Sequence, residues 1–245
     1  MTGIKFCGIT RAADARVGAQ LGARYLGVIF AGGPRAITPA QAARALVPVT
    51  GGGEESATDA MPVRRVQRVG VFSDQTPAAI ARIAEELSLD VVQLHGTPSA
   101  DRIGAVRRHF HGAVWVVIRV DPRGSRGGDG SALVAASGPI FAEADAVLLD
   151  TFAPDLAGGS GLVSDWSALR APLEKVRRDA RVVLAGGLTP ENVARAIELL
   201  SPDVVDVSSG VEVAPGIKDA ARMRAFVEAV VAAPDNLRER AADGS

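Results

Sequence analysis

Cys7, the only cysteine in 245 residues, closes the apolar run in Lys5-Phe6-Cys7-Gly8-Ile9-Thr10. A lone thiol cannot form an internal disulfide, so Cys7 is either a small buried hydrophobe or a reactive group. Asp150 follows four apolar residues in Ala146-Val147-Leu148-Leu149-Asp150-Thr151. A carboxylate there is costly if buried unpaired, so it is either a cap or turn residue or a proton donor. Arg35, in Gly32-Gly33-Pro34-Arg35-Ala36-Ile37-Thr38, carries a guanidinium that can grip a carboxylate in two-pronged fashion. Three segments are rich in glycine: Gly158-Gly159-Ser160-Gly161, Ala185-Gly186-Gly187-Leu188 and Ser208-Ser209-Gly210-Val211-Glu212. Glycine lets backbone N–H groups approach an anion closely. Of the three histidines, His95 ends an apolar run and is expected to play a hydrogen-bonded, supporting role. His109 and His111 flank a helix end and are expected to face solvent. They form no metal constellation, so no metal site is expected.

Short β-branched runs alternate with alanine-rich helical patterns from one end of the chain to the other. Strands are expected at 4–7, 25–30, 68–72, 91–95, 114–120, 146–150, 182–185 and 204–208. Helices are expected near 11–22, 39–47, 77–87, 99–109, 131–137, 167–179, 190–200 and 218–232, the fifth short and broken by Gly138-Pro139. Thr38-Pro39, Thr76-Pro77 and Thr189-Pro190 each offer an N-cap followed by proline at the first helical position, and Thr10 is a further candidate cap. Several strands are continuous apolar runs, as when both faces are covered. Eight such units predict an α/β chain folded as a single-domain (β/α)8 TIM barrel over 1–233, with a charged, frayed tail at 234–245. The stretches 50–61 and 121–130 are polar and glycine-rich, and read as insertions.

A barrel of parallel strands collects its chemistry at the C-terminal strand ends and the loops after them. Cys7, His95 and Asp150 end the first, fourth and sixth strands. Gly186-Gly187 and Ser208-Ser209-Gly210 follow the seventh and eighth, the usual phosphate site of this fold. Arg35 then becomes a candidate clamp for a second anionic group. Lys5 lies two residues before Cys7 on the same strand and so points to the same side.

Composition narrows the partners. Apolar residues make up 47% of the chain, enough for a substantial core. Net charge is −1, from 27 basic and 28 acidic residues spread along the sequence, so neither nucleic acid nor a membrane surface is an expected partner. No apolar run approaches the roughly 20 residues that span a bilayer. The start shows no secretory pattern, and a cytoplasmic location is expected. Neither a Walker A pattern nor a strand-linked G-x-G-x-x-G occurs, so no nucleotide cofactor is expected.

Taken in order, Lys5-Phe6-Cys7-Gly8-Ile9-Thr10, Gly70-Val71-Phe72, Val92-Gln93-Leu94-His95-Gly96, Leu148-Leu149-Asp150-Thr151, Gly158-Gly159-Ser160-Gly161, Gly186-Gly187-Leu188-Thr189-Pro190-Glu191-Asn192-Val193 and Val205-Asp206-Val207-Ser208-Ser209-Gly210-Val211-Glu212 resemble phosphoribosylanthranilate isomerase. The motifs run from residue 4 to about 230, and the first and last together are highly specific. The resemblance implies a monofunctional isomerase of tryptophan biosynthesis. It would convert N-(5-phosphoribosyl)anthranilate to 1-(2-carboxyphenylamino)-1-deoxyribulose 5-phosphate by a cofactor-free Amadori rearrangement, as a monomer or homodimer. It further implies Cys7 as general base, Asp150 as general acid and Arg35 as holder of the anthranilate carboxylate. Gly186, Gly187, Ser208, Ser209 and Gly210 would form the phosphate loops.

The chain departs from the family pattern at Ala36, often aromatic, at Leu162, commonly basic, and at Ser164, commonly phenylalanine. These changes bear on packing of the anthranilate ring and loop closure, hence on affinity. A histidine-pathway sugar-phosphate isomerase on a related barrel is the nearest alternative, but that family uses aspartates for both acid and base. A non-catalytic phosphate-binding barrel would have no use for both Cys7 and Asp150.

Overall fold

The computed structural model describes residues 1–46, 65–97, 99–119, 137–150 and 166–234. The insertions 50–61 and 121–130, the segment Gly158-Gly159-Ser160-Gly161, Leu162, Ser164 and most of the tail lie outside them. Eight strands, β1 (Gly3–Phe6), β2 (Tyr25–Ile29), β3 (Gln67–Phe72), β4 (Val91–Leu94), β5 (Ala113–Arg119), β6 (Ala146–Asp150), β7 (Arg181–Ala185) and β8 (Val204–Val207), pair in parallel, each with the next. β8 returns to β1, with Lys5 opposite Asp206, and closes the barrel. Every strand lies within a residue or so of its expected bounds. The helices α1 (Ala12–Gln20), α2 (Pro39–Leu46), α3 (Pro77–Glu86), α4 (Ala100–Arg107), α5 (Ser137–Glu143), α6 (Arg170–Val176), α7 (Val193–Leu200) and α8 (Ala220–Ala232) cover the outside. After β8 the chain adds a short antiparallel hairpin, β9 (Glu212–Ala214) and β10 (Ile217–Lys218).

Two of the proline starts form as expected. Thr38 and Gln41 make a reciprocal capping box, the Thr38 hydroxyl accepting from the Gln41 amide at 3.2 Å and the Gln41 side-chain oxygen accepting from the Thr38 amide at 2.8 Å. Thr76 accepts from the Ala79 amide at 3.3 Å. The third fails. The Asn192 side chain accepts from the Thr189 amide at 2.8 Å and donates to the Gly187 carbonyl at 2.9 Å. This local turn takes the place of a first helical turn, and α7 starts only at Val193. Thr10 does not cap α1 either, because its hydroxyl donates to the Gly216 carbonyl at 2.5 Å. The helix expected at 131–137 lies outside the described residues up to Ser137; α5 carries Gly138 and Pro139 in its first turn, where a missing N–H breaks no helical bond.

Two apolar layers follow from strand alternation. One lies between strands and helices and includes Phe6, Leu26, Phe72, Val92, Val147 and Leu184. The other fills the barrel with Tyr25, Val69, Val91, Trp115, Leu148 and Val183, and Tyr25 meets Trp115 edge-on at 4.8 Å. Above this inner layer the inward positions turn polar: Lys5 on β1, Cys7 just past it, Gln93 on β4 and Asp206 on β8, all buried. That change marks the functional end of the barrel.

Candidate active site

β1 delivers Cys7 just past its last residue, where the Cys7 amide donates to the Val207 carbonyl at 2.9 Å. The thiol is 7% exposed. Burial pushes its pKa up; Lys5 pulls it down, and Asp206 works against Lys5. Burial wins, and the thiol lies above its ordinary value despite the neighbouring ammonium. Lys5 does face the same way as Cys7. Its Nζ lies 2.7 Å from Asp206 Oδ2 in an interior with no solvent exposure. Burial works against its charge, but Asp206 and Cys7 outweigh burial and hold Lys5 protonated.

Asp150 ends β6, half-buried and paired in register with Arg119 on β5. Its charge is felt by both His95 and Asp206, which places it toward the same mouth as Cys7. His95, just past β4, lies 2.9 Å from Arg119 Nη2 through its Nε2. A guanidinium has only hydrogens to give, so Nε2 is the acceptor and the neutral ring carries its proton on Nδ1. Burial, then Arg119, lowers the His95 pKa and keeps the ring neutral. His109 and His111 are exposed, as expected.

Arg35 sits in the loop after β2, which is stitched back onto that strand: the Ile37 amide donates to the Ile29 carbonyl at 3.0 Å, and Ile29 and Ala36 form an isolated bridge. Arg35 does not stand alone. Its Nε and Nη2 donate to the Glu212 carboxylate at 3.0 and 2.8 Å. Glu212 in turn accepts from Lys218 Nζ at 2.8 Å and from the Gly216 amide at 3.2 Å. Burial penalises the Glu212 charge, yet Arg35 and Lys218 hold its carboxyl below the usual range. Lys218 also donates to the carbonyls of Cys7, at 2.5 Å, and Ser208, at 3.1 Å. It thus joins the ends of β1 and β8 from beneath the hairpin. Its own pKa is lowered, by burial above all.

Gly186 and Gly187 follow β7 with positive φ. Ser208 follows β8 and leads into a 3-10 turn over Ser209–Val211. The two loops press together at Gly210, where a Cβ would come within 2.0 Å of the Leu188 carbonyl oxygen. The barrel therefore brings Cys7, Lys5, His95, Asp150, Arg35, Gly186, Gly187, Ser208, Ser209 and Gly210 to one end. Glu212, Lys218 and the role of Asp206 were missed by sequence reasoning. For Asp206 the available signal was a charge set inside an apolar strand run, Val205-Asp206-Val207. At the opposite end, a groove of about 590 Å³ lined by Arg107, Asp145, Arg178 and Arg181 belongs to the packing face.

The fold and this mouth define an α/β-barrel that gathers a thiol, a carboxylate, an arginine and two glycine-rich loops at the C-terminal ends of its strands. A sequence model of N-(5'phosphoribosyl)anthranilate (PRA) isomerase matches residues 4–229. The N-(5'-phosphoribosyl)anthranilate isomerase of Pseudomonas aeruginosa (strain UCBPP-PA14) is 39% identical over 231 residues, 93% of this chain and 94% of that protein. The crystal structure of phosphoribosyl anthranilate isomerase from Thermotoga maritima superposes with a TM-score of 0.74 at 33% identity, over 94% of this chain and 99% of that one. A further structure, of the isomerase in complex with reduced 1-(o-carboxyphenylamino)-1-deoxyribulose 5-phosphate, gives 0.71 at 31% identity, over 94% and 99%. This chain belongs to the phosphoribosylanthranilate isomerase family.

Proposed function

We infer that the chain performs its family's aldose–ketose isomerisation in tryptophan biosynthesis, with Asp150 as general acid and Cys7 as general base. The observation that carries the assignment is the placement of these two groups at the C-terminal ends of β6 and β1, around one mouth. The loops after β7 and β8, with Gly186, Gly187, Ser208, Ser209 and Gly210, take the 5′-phosphate. Arg35 takes the anthranilate carboxylate. Glu212 occupies its Nε–Nη2 edge, so the substrate takes the edge formed by Nη1 and the second Nη2 hydrogen.

Asp150, as a carboxylic acid, gives its proton to the ribose ring oxygen, and the C1′–oxygen bond breaks to leave a Schiff base. The cationic imine acidifies the C2′ proton. Cys7, as thiolate, removes it, and the C2′–H electrons move into an enolamine that tautomerises to the ketone. His95 and Arg119 stand beside the acid, and Lys5 beside the base. Substrate binding needs one protomer's own residues, which suits a monomer or a homodimer. A biosynthetic enzyme of this kind works in the cytoplasm; among the described residues no helix is long and apolar enough to cross a membrane.

The test is an assay with phosphoribosylanthranilate generated in situ, following loss of its fluorescence. Wild type turns over. Cys7→Ser and Asp150→Asn each lose about two to four orders of magnitude in kcat, as for removal of a general acid or base, with folding intact. Arg35→Ala mainly raises KM. Near-normal turnover of either of the first two would overturn the acid–base assignment.

A further inference from the structure

Lys5 and Asp206 are register partners on neighbouring strands, and both side chains are more than nine-tenths buried. Around them the barrel is filled with Tyr25, Val69, Val91 and Val204. A buried ion pair in such a layer is poor support for stability, because apolar residues of the same volume serve as well or better. The pair is also incomplete: Asp206 Oδ1 is buried without a hydrogen-bond partner among the described residues. Its cost calls for another role.

Gly27 on β2 indicates which group that role concerns. A Cβ at this glycine would lie 3.1 Å from Cys7 Sγ and 3.2 Å from Lys5 Cε. The missing side chain thus lets the thiol and the lysine stem pack against one bare stretch of backbone. The groups bearing on Cys7 come from several elements. Lys5 shares its strand, Asp206 comes from β8, Lys218 from β10 and Arg35 from the loop after β2. Lys218 and Arg35 are both held by Glu212 on β9, and Asp150 on β6 bears on Asp206 from across the mouth. Lys5 is therefore the cation that faces two acids, Asp206 and Cys7.

We propose that Lys5, Asp206 and Cys7 act as one unit that shares a single negative charge, Asp206 taking up the proton that Cys7 loses on becoming the base. This deepens the isomerase reading and rests on it for the part Cys7 plays in turnover. In the resting form the unit is thiol, ammonium and carboxylate. Lys5 gives one proton to Asp206 and receives that of Cys7, leaving thiolate, ammonium and carboxylic acid. The S–H bond breaks, an O–H bond forms, and the net charge is unchanged. Releasing the thiol proton to solvent would instead place a new net charge in a desolvated interior. After Cys7 takes the C2′ proton it releases that proton to water as product leaves, and Asp206 returns its own to the sulfur. Burial favours neutral forms of both acids, in accord with one charge between them, and the two titrate as a pair. Lys5 and Asp206 are positioning residues here, since neither touches the substrate.

The test reads the thiolate directly, by its ultraviolet absorbance against pH in folded, substrate-free protein; with a single cysteine the signal has one source. Asp206→Asn removes the competing anion and moves the midpoint down by about one pH unit or more; Lys5→Met removes the cation and moves it up by as much. Asp206→Asn also loses about threefold or more in kcat while forming thiolate more readily, because a more acidic thiol is a weaker base. A purely structural role produces no such opposed pair of shifts. Each single variant leaves a lone buried charge, which by itself lowers stability, so Lys5→Met/Asp206→Asn is measured beside them. Its midpoint lies above wild type. Shifts in the same direction, or a double variant matching wild type, would overturn the proposal. Because the titration uses no substrate, that failure is separate from failure of the isomerase assay.

Discussion

Lys218→Met is the sharpest test of how the mouth is held together. The Lys218 ammonium has no exposure and donates to the Cys7 carbonyl, the Ser208 carbonyl and Glu212. Methionine keeps the stem but strands the Cys7 carbonyl, and leaves that of Ser208 only the Val211 amide at 3.4 Å. Glu212 is not orphaned, because Arg35 and the Gly216 amide still hold it. Breaking a buried pair costs about 3–5 kcal/mol when the partner charge is left alone. Here the partner keeps a cation and the desolvation of Lys218 is relieved, so the lower end, about 3 kcal/mol, applies. For a chain of this size each kcal/mol moves Tm by about 2–4 °C, so the drop is about 6–12 °C. Thermal melting by circular dichroism at neutral pH measures it. KM rises as well, because Ser208 is no longer fastened to the end of β1. Lys218→Arg rescues neither property, since the fork of a guanidinium does not fit a space that fully encloses an ammonium. A melting point within about 2 °C of wild type, less than 1 kcal/mol on that scale, would refute the idea that this cation ties β1, β8 and the hairpin together.

Glu212→Gln should lower stability most at neutral pH. Its folded pKa is depressed, so its contribution is complete above the unfolded value of about 4.3 and disappears as pH falls through the folded one. The Tm gap between wild type and variant therefore closes on acidification, and a gap constant with pH would refute the argument; Asp206, whose pKa is raised, acts oppositely but equally in both proteins. Gly210→Ala drives a Cβ to 2.0 Å from the Leu188 carbonyl, and backbone rather than a flexible side chain must move. The two glycine-rich loops separate, and KM in the fluorescence assay rises more than kcat falls. An unchanged KM would show that the loops do not bind the phosphate together.

The eight strands could be read directly because each is largely buried and written as a short, mostly apolar and β-branched run. Cys7 and Asp150 stand out at the ends of such runs, where a non-apolar residue is conspicuous. Helix starts were less legible, because Thr-Pro names a favourable cap without excluding a competitor. At Thr189 the competitor is Asn192, whose side chain bonds both Thr189 and Gly187. Arg35 was legible as a guanidinium able to grip a carboxylate, but the carboxylate it holds in the structure, Glu212, was not. Glu212 is 177 residues away in sequence, and only the hairpin after β8 brings it under the loop after β2. Lys218 had no signal at all, since lysine in a polar stretch reads as solvated surface until topology buries it.

The charges gathered around this mouth suit it to an anionic substrate. Around the ends of β1, β2 and β8, the cations Lys5, Arg35 and Lys218 face the carboxylates Asp206 and Glu212. One positive charge is in excess, in a place where burial makes any excess expensive. Packing alone would remove it by substituting one of the lysines. Its retention follows if the site is completed by negative charge during use, first by the thiolate of Cys7 and then by the carboxylate and phosphate of the substrate. The field is fixed by ion pairs within the barrel before substrate arrives, so little reorganisation is needed as charge develops. Stability is the quantity given up, and the Lys5 and Asp206 variants measure how much: the double variant, which removes both buried charges, should melt above either single one.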